Sequence, residues 1–166
     1  MHSALKELTN SIPDLADLVR IFGRLTVALI IGAAVGLQRS ITHKPAGVRT
    51  HMLVALGTAL LLVTASDAGL SNSDLSRIVQ GIITGIGFLG GGAILKLTQE
   101  HEIHGLTSAA GIWLTAGASA AAGLGQISAA LIGLAMGIVV LRVVGHAETR
   151  QAQAAPGKGA NEPQDD

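Results

Sequence analysis

The polar side chains of this chain that could do chemistry border long apolar segments, and most of them are basic. Arg39, Arg49 and His51 fall around one short polar connection. Ionisable groups at the depth of a membrane are costly, which makes these three residues functional candidates. The alternative is that arginines near the ends of membrane helices only anchor the protein to lipid phosphates. Both interpretations stay open for the three residues, and the anchor is preferred for Lys44.

A second polar set lies within a single apolar segment at helical spacing. Arg77 is expected at the outer end of that helix, on the side that should be poor in basic residues. The residues that follow it at intervals of three or four are Gln80, Thr84, Gly87 and Gly91. This spacing predicts a narrow polar stripe pointing into a helix bundle. Such a stripe is more typical of hydrogen bonds between helices than of a pore.

The remaining motifs do not predict an enzyme or a bound cofactor. His101 and His104 lie in the segment EHEIH and are the candidates for a metal site, because imidazole and carboxylate ligands could converge there. With two histidines at this spacing, a solvated loop is preferred and no metal is expected. The segment GIGFLG lacks the strand and the acidic residue of a dinucleotide-binding loop. We find no convincing set of residues for nucleophilic catalysis.

Composition places these candidates in a membrane protein. The 166 residues are 49% hydrophobic and 13% charged, whereas a soluble domain is about 25% charged. Uncharged runs cover residues 78–95 and 105–141, and about 20 such residues cross a bilayer as a helix. The second run is too long for one span and is predicted to break at the glycines of GLGQ, residues 123–126. The zero net charge indicates no nucleic-acid partner.

The predicted architecture is an all-α transmembrane bundle of about five helices. The domain prediction is a leader or interfacial helix over 1–19, a membrane domain over 20–145 and a disordered tail over 146–166. Arg20 and Arg24 fall in the opening turns of the first helix and must snorkel or find a partner. The predicted helices cover residues 20–38, 47–66, 77–96, 105–122 and 126–144.

Orientation follows from the basic residues in the connections. Seven of the eleven lysines and arginines fall on the side of the C-terminus and four on the side of the N-terminus. Because cytoplasmic loops are enriched in basic residues, we predict a cytoplasmic C-terminus and an N-terminus outside the cell.

Glycine is abundant in the apolar segments, where small residues let membrane helices approach closely. The third predicted helix is the richest in glycine and is therefore expected at the centre of the bundle. The run of three glycines in it could also mark a kink or an unwound segment. The glycines predicted to pack against other helices are Gly32, Gly36, Gly81, Gly85, Gly87, Gly90, Gly91, Gly92, Gly133 and Gly137.

Three blocks of sequence resemble the MgtC/SapB family. They are GAAVGLQRS…AGVRTHMLVALGTAL (32–60), RIVQGIITGIGFLGGGAI (77–94) and HGLTSAAGIWLTAGASAAAGLG (104–125). The resemblance implies a bacterial inner-membrane protein with about five helices. It also implies a link to survival under magnesium limitation, through regulation of other membrane proteins rather than through established transport.

The chain departs from the family pattern in two places. Gln38 stands where the first block usually carries a glutamate, and the soluble C-terminal domain of many members is expected to be missing. With Gln38 neutral, no Asp or Glu lies inside a predicted span. Magnesium prefers oxygen ligands and carboxylates above all, so a magnesium path would have to use backbone carbonyls near residues 90–92 with Thr84 and Gln80.

Two functions therefore follow from the sequence. The favoured one is a regulatory protein that binds other membrane proteins, with self-association among the options, in adaptation to low magnesium or stress. The alternative is a transporter or channel for magnesium or another ion that uses the glycine-rich third helix.

Overall fold

A computed structural model describes residues 14–42, 44, 46–96 and 103–154, with the backbone alone for 95–96, 103–104 and 144–154. The described residues form five helices and one short hairpin, which confirms the predicted all-α bundle. The elements are α1 (Leu15–Ile41), α2 (Val48–Asp67), α3 (Asn72–Gly92), β1 (Leu95–Lys96), β2 (Ile103–His104), α4 (Leu106–Gly123) and α5 (Ile127–Ala154).

Two helices begin earlier than predicted because a polar side chain caps each of them. The Asp14 carboxylate accepts a hydrogen bond from the backbone N–H of Leu15, so α1 begins five residues before the predicted start. Ser71 accepts from the N–H of Asp74 and donates to its carboxylate, so Ser71 caps the N-terminus of α3. Arg77 therefore lies in the second turn of α3, and the expectation that it sits at the helix end is wrong.

The glycine run ends α3 rather than kinking it. The helix stops at Gly92, four residues before the predicted end, because successive glycines disfavour helix. The chain then forms the antiparallel pair β1–β2, with Leu95 opposite His104, which the sequence did not predict. Gly105 follows at a positive φ of 95°, and an added Cβ there would collide with the carbonyl of Ala93.

The predicted domain boundaries do not coincide with the ends of helices. Residues 15–19, assigned to a leader, belong to α1. The described backbone stays helical to Ala154, beyond the predicted boundary at residue 145. Residues 1–13 and 155–166 lie outside the described part of the chain, as do the predictions made for them.

The central helix is α4, and the expectation that the glycine-rich third helix is central is wrong. Helix α4 contacts each of the other four helices, whereas α3 packs mainly on α4 with a smaller contact to α2. The reason lies in side-chain size, because most residues of α4 are Ala, Gly, Ser or Thr. Narrow helices accept close neighbours on several sides.

Small residues make up most of the core, and many large apolar side chains face outward. The main cluster joins α1, α2, α4 and α5 and consists of Ala28, Ile31, Ala55, Ala59, Ala118, Ala122 and Ala130. Phe22, Phe88 and Ile132 are exposed, as expected where the surroundings are lipid. By length and composition, α1 and α2 could each cross a membrane, and Ile127–Val143 is a shorter apolar segment.

Arg20 and Arg24, which were predicted to lie in the opening turns of the first helix, both find partners. The guanidinium of Arg24 donates to the carbonyl oxygen of Gly123 at 3.2 Å, at the C-terminus of α4, where a cation is favourable. Arg20 pairs with Asp17 of its own helix at 2.9 Å and with Asp67 of α2 at 3.3 Å. The turn beside Arg24 contains Gly125 at a φ of 82°, which confirms the predicted break in the long apolar run.

Candidate functional site

A buried arginine occupies the junction of α1, α2 and α4. Arg39 lies in the last turn of α1, and only 3% of it is exposed. Its Nη2 donates to Ser108 Oγ at 2.7 Å and to Thr107 Oγ1 at 3.1 Å. Both hydroxyls belong to the first turn of α4, which follows Gly105. The arginine thus joins two segments that are almost 70 positions apart in the sequence.

His51 lies beside this arginine in the first turn of α2 and is fully buried. Its Nδ1 donates to the carbonyl oxygen of Gly47 at 3.0 Å, because a carbonyl can only accept. In the neutral ring, Nε2 is then an acceptor, and it has no partner among the described residues. Gly32 and Gly36 make this position possible, since they let α1 lie directly against the start of α2.

Gly111 of α4 lies directly against these two side chains. A Cβ built on Gly111 would lie 3.4 Å from His51 Nε2 and 4.0 Å from Arg39 Nε. Arg39 Nε is also buried without a partner among the described residues. One unsatisfied donor and one unsatisfied acceptor therefore both lie close to Gly111. We call Arg39, His51, Thr107, Ser108 and Gly111 the arginine cluster.

The described residues supply the arginine cluster with no negative charge. Their two ion pairs both involve Arg20 and lie near the other end of α1. Gln38, at the position where the family resemblance implies glutamate, is half-buried, and its Oε1 has no partner in the same part of the chain. No group of three His, Asp or Glu that could hold a metal occurs in the described ranges. The cluster is suited to an anion rather than to a cation.

The other basic candidates are not part of this cluster. Arg49 lies two residues before His51 but is exposed on α2, and Arg77 is exposed on α3. Neither makes a hydrogen bond or ion pair within the described ranges. His104 is described by its backbone alone and His101 lies outside the described residues, so the structure does not test the EHEIH segment.

The polar stripe on α3 faces away from the bundle, and the expectation that it points inward is wrong. The residues Gln80, Thr84, Gly87 and Gly91 are all exposed. Thr84 Oγ1 donates to the carbonyl oxygen of Gln80 at 2.9 Å, within its own helix. The only buried residues of α3 are Ile86 and Gly90, which lie on the face toward α4.

The ten glycines predicted to pack against other helices fall into two groups, those with a close neighbour and those without one. Cβ atoms on Gly32 and Gly36 would each lie 2.6 Å from backbone atoms of α2, and Gly137 is packed against Leu114. Gly90 meets the Cβ of Ala109 at an ordinary 3.6 Å. The structure shows no neighbour within 4 Å of an added Cβ among its described residues for Gly81, Gly85, Gly87, Gly91, Gly92 and Gly133.

Sequence reasoning missed four residues that hold the central contacts. No role was predicted for Thr107 and Ser108, although hydroxyls in the first turn of a helix commonly bind polar groups. Gly111 was not singled out, and Gly123 was predicted only to break the long apolar run, yet Gly123 packs against the backbone of Ala59. The available signal was a row of small residues at four-residue intervals on α4, formed by Gly111, Thr115, Ser119 and Gly123.

An open apolar groove runs between α2 and α3. Its volume is about 580 Å³. Three of its lining residues are glycines, so part of the groove surface is backbone. They are Gly57 of α2 and Gly81 and Gly85 of α3. The other lining residues are Leu53, Val54, Thr58, Leu61, Ile78, Ile82, Ile86 and Leu89. We call this feature the glycine groove.

Comparison with known proteins gives the same family as the three sequence blocks. Residues 25–150 match the MgtC family. The chain is 42% identical over 121 residues to protein SrpB of Synechococcus elongatus, which covers 66% of each protein. It is 38% identical over 128 residues to the Escherichia coli protein named "Putative magnesium transporter YhiD", covering 72% of the chain and 58% of the relative.

Protein MgtC of Salmonella typhimurium is 37% identical over 107 residues, which is 64% of the chain and 45% of that protein. The chain thus spans between about half and two thirds of the length of these relatives. No solved structure matches the chain.

Proposed function

This chain belongs to the MgtC family of membrane proteins, and we propose that it regulates other membrane proteins in adaptation to low magnesium or stress. In this proposal it resides in the inner membrane of a bacterium, with the C-terminus in the cytoplasm. It acts by binding the helices of its targets and not by catalysing a reaction.

The observation that carries the proposal is the outward-facing glycine surface of α3 beside the glycine groove. Gly81 and Gly85 have no packing neighbour in the described residues, although they have the four-residue spacing of helix contacts. Each glycine also costs about 1 kcal/mol of helix stability relative to alanine. A partner helix seated in the groove would use both glycines for close backbone contact. Contact with a partner would explain these two glycines, which pack against no helix of this chain among the described residues.

The alternative of magnesium transport is favoured by the printed name of the YhiD relative. Within one chain, however, Gln80 and Thr84 lie on the outside of the bundle. Their hydroxyl and amide groups cannot line a path through its interior. The central helix α4 contacts each of the other four helices and carries no ionisable residue. Regulation by contact is therefore the proposed function.

A growth experiment tests the regulatory proposal. A bacterial strain without its own family member would carry either the natural chain or the double variant Gly81→Leu, Gly85→Leu. We expect the double variant to be present in the membrane at the same level but to lose support of growth in low magnesium. Gly23→Leu is the matched control, because Gly23 is also an exposed helical glycine with no neighbour in the described residues.

A flux measurement separates the two functions. The purified chain in proteoliposomes should take up no more magnesium than empty vesicles. Uptake above that background, abolished by Arg77→Ala, would replace regulation by transport. The natural chain and the Gly81→Leu, Gly85→Leu variant could instead support growth equally, with no magnesium uptake by the natural chain. That result would exclude the glycine groove as the docking site.

A further inference from the structure

Four exposed residues of α3 follow one another at intervals of three or four. They are Asp74, Arg77, Gly81 and Gly85. Helical geometry places them within about 80° of one another around the helix axis. One side of α3 therefore carries a negative charge, a positive charge and two glycines, in this order from its N-terminus. We call these four residues the α3 row.

The two charges of the α3 row do not hold this chain together. Asp74 and Arg77 form no ion pair in the part of the chain that the structure describes, where both ion pairs belong to Arg20. The Asp74 carboxylate accepts one side-chain hydrogen bond there, from the hydroxyl of Ser71. A carboxylate has about four acceptor sites, so this bond leaves most of them open. Both charged groups are thus available to a neighbouring protein.

The two glycines leave the backbone of α3 uncovered beside these charges. An added Cβ on Gly81 or on Gly85 meets no atom of the described residues within 4 Å. A helix with small residues at the same spacing can lie directly against this surface, because such residues allow close backbone contact. The adjoining glycine groove offers that helix an apolar surface on α2 as well.

The order of the charges favours a second copy of this chain over other occupants. Two copies in one membrane have the same orientation, so their α3 helices can meet in parallel about a two-fold axis normal to the membrane. Contacts about such an axis are reciprocal. Because Asp74 and Arg77 are about one turn apart on the same side, each can face the opposite charge of the other copy. A lipid phosphate would attract Arg77 but would be repelled by Asp74.

We propose that a second copy of this chain occupies the α3 row in a parallel, two-fold symmetric contact. Arg77 of each copy pairs with Asp74 of the other, and Gly81 and Gly85 bring the two backbones together. A target in the proposed function needs the same two glycines, so the dimer is the form of the chain without a bound target. Only this competition rests on the proposed function, and the contact itself does not.

Energy transfer between donor-labelled and acceptor-labelled full chains in liposomes tests the contact. We expect transfer for the natural chain at a lipid excess where random encounters give little. It should be lost when both populations carry Arg77→Glu, because two carboxylates then meet, and when both carry Asp74→Lys, because two cations meet. Reconstituting Arg77→Glu donors together with Asp74→Lys acceptors should restore it. In that pair the introduced glutamate faces the introduced lysine, and the natural Asp74 faces the natural Arg77.

Matched variants control for charge and for side-chain size. Arg49→Glu reverses an exposed arginine of α2, and Gly87→Leu enlarges an exposed glycine of α3 that points about 200° from Gly85. Both should keep energy transfer, whereas Gly85→Leu should lose it. Circular dichroism checks that each variant keeps the natural helix content. A natural chain without transfer, an undiminished signal in Arg77→Glu, or no recovery in the mixed pair of folded variants would overturn the proposal.

The dimer and the regulatory function can fail independently. Arg77→Glu keeps both glycines, so it should lose energy transfer and still support growth in low magnesium. Loss of growth in this variant would overturn the competition between a second copy and a target. A monomeric natural chain would overturn the dimer and leave the regulatory proposal. A dimer combined with unchanged growth of the Gly81→Leu, Gly85→Leu variant would do the reverse.

Discussion

At the scale of single residues, burial separates candidates that look equivalent in the sequence. Arg39, Arg49 and His51 border one connection, and a role as lipid anchors was open for all three. The structure places Arg39 and His51 inside the protein and leaves Arg49 exposed. Helical periodicity accounts for the difference, because Arg49 and His51 are two positions apart and point about 200° from one another. A pattern of charges alone does not show which face a neighbour covers.

The hydroxyl of Ser108 should contribute measurably to stability. Replacing Ser108 by alanine removes the shorter of the two hydrogen bonds of Arg39 and leaves a buried charged donor without that acceptor. We expect a loss of about 1–3 kcal/mol in the free energy of unfolding. Chemical denaturation in detergent measures it, and Ser128→Ala on the exposed face of α5 is the matched control. Equal stability of the two variants would contradict a structural hydrogen bond at Arg39.

At the scale of helices, the same residue type serves two purposes. Gly32 and Gly36 bring the backbones of α1 and α2 into contact, whereas Gly81 and Gly85 of α3 face outward. Both pairs have the four-residue spacing that predicts a helix contact, and the prediction treated them alike. Spacing identifies a face that can be approached closely. It does not identify the helix that approaches it.

This contrast predicts opposite responses to one added methyl group. Gly32→Ala would place a Cβ 2.6 Å from the carbonyl oxygen of His51, and the backbone of α2 would have to move. We expect a loss of about 1–3 kcal/mol in stability from this overpacking. Gly85→Ala meets nothing within 4 Å and should stabilise α3 by about 1 kcal/mol through helix propensity. Parallel unfolding measurements check both signs, and a destabilised Gly85→Ala would show that α3 packs more closely than described.

The outward direction of the α3 stripe predicts how a thiol at Thr84 reacts. In this cysteine-free chain, Thr84→Cys should resist a charged thiol reagent in intact membranes, because lipid or a partner and not water surrounds it. The same thiol should react fully after denaturation in detergent. Labelling in intact membranes would indicate an aqueous path and would favour the transport alternative.

At the scale of the whole molecule, a narrow central helix organises the bundle. Helix α4 lets four neighbours approach because most of its side chains are small, and many large apolar side chains of the other helices face outward. The polar contacts divide between the two ends of the bundle. Arg24 binds the C-terminus of α4 at one end, and Arg39 binds its N-terminus at the other.

The two ends can be assigned to the two sides of the membrane by labelling. We expect Lys44→Cys, next to the arginine cluster, to react with an impermeant reagent only after the cells are opened. Ser73→Cys, at the start of α3, should react in intact cells because it lies at the opposite end of the bundle. Both side chains are exposed, so accessibility within the protein is matched. The reverse pattern would invert the orientation predicted from the basic residues.

The sequence by itself determined the class of protein, the family, the number of helices and most of their positions. These properties depend on local features, namely the length of apolar runs, capping residues and glycines in turns. Only the tertiary structure decided that α4 is central, that the α3 glycines face outward and that Arg39 meets Ser108. The reason is that inward and outward faces of these helices are both apolar, so hydrophobic periodicity cannot distinguish a neighbouring helix from lipid. Packing of small residues makes that choice, and it involves residues far apart in the chain.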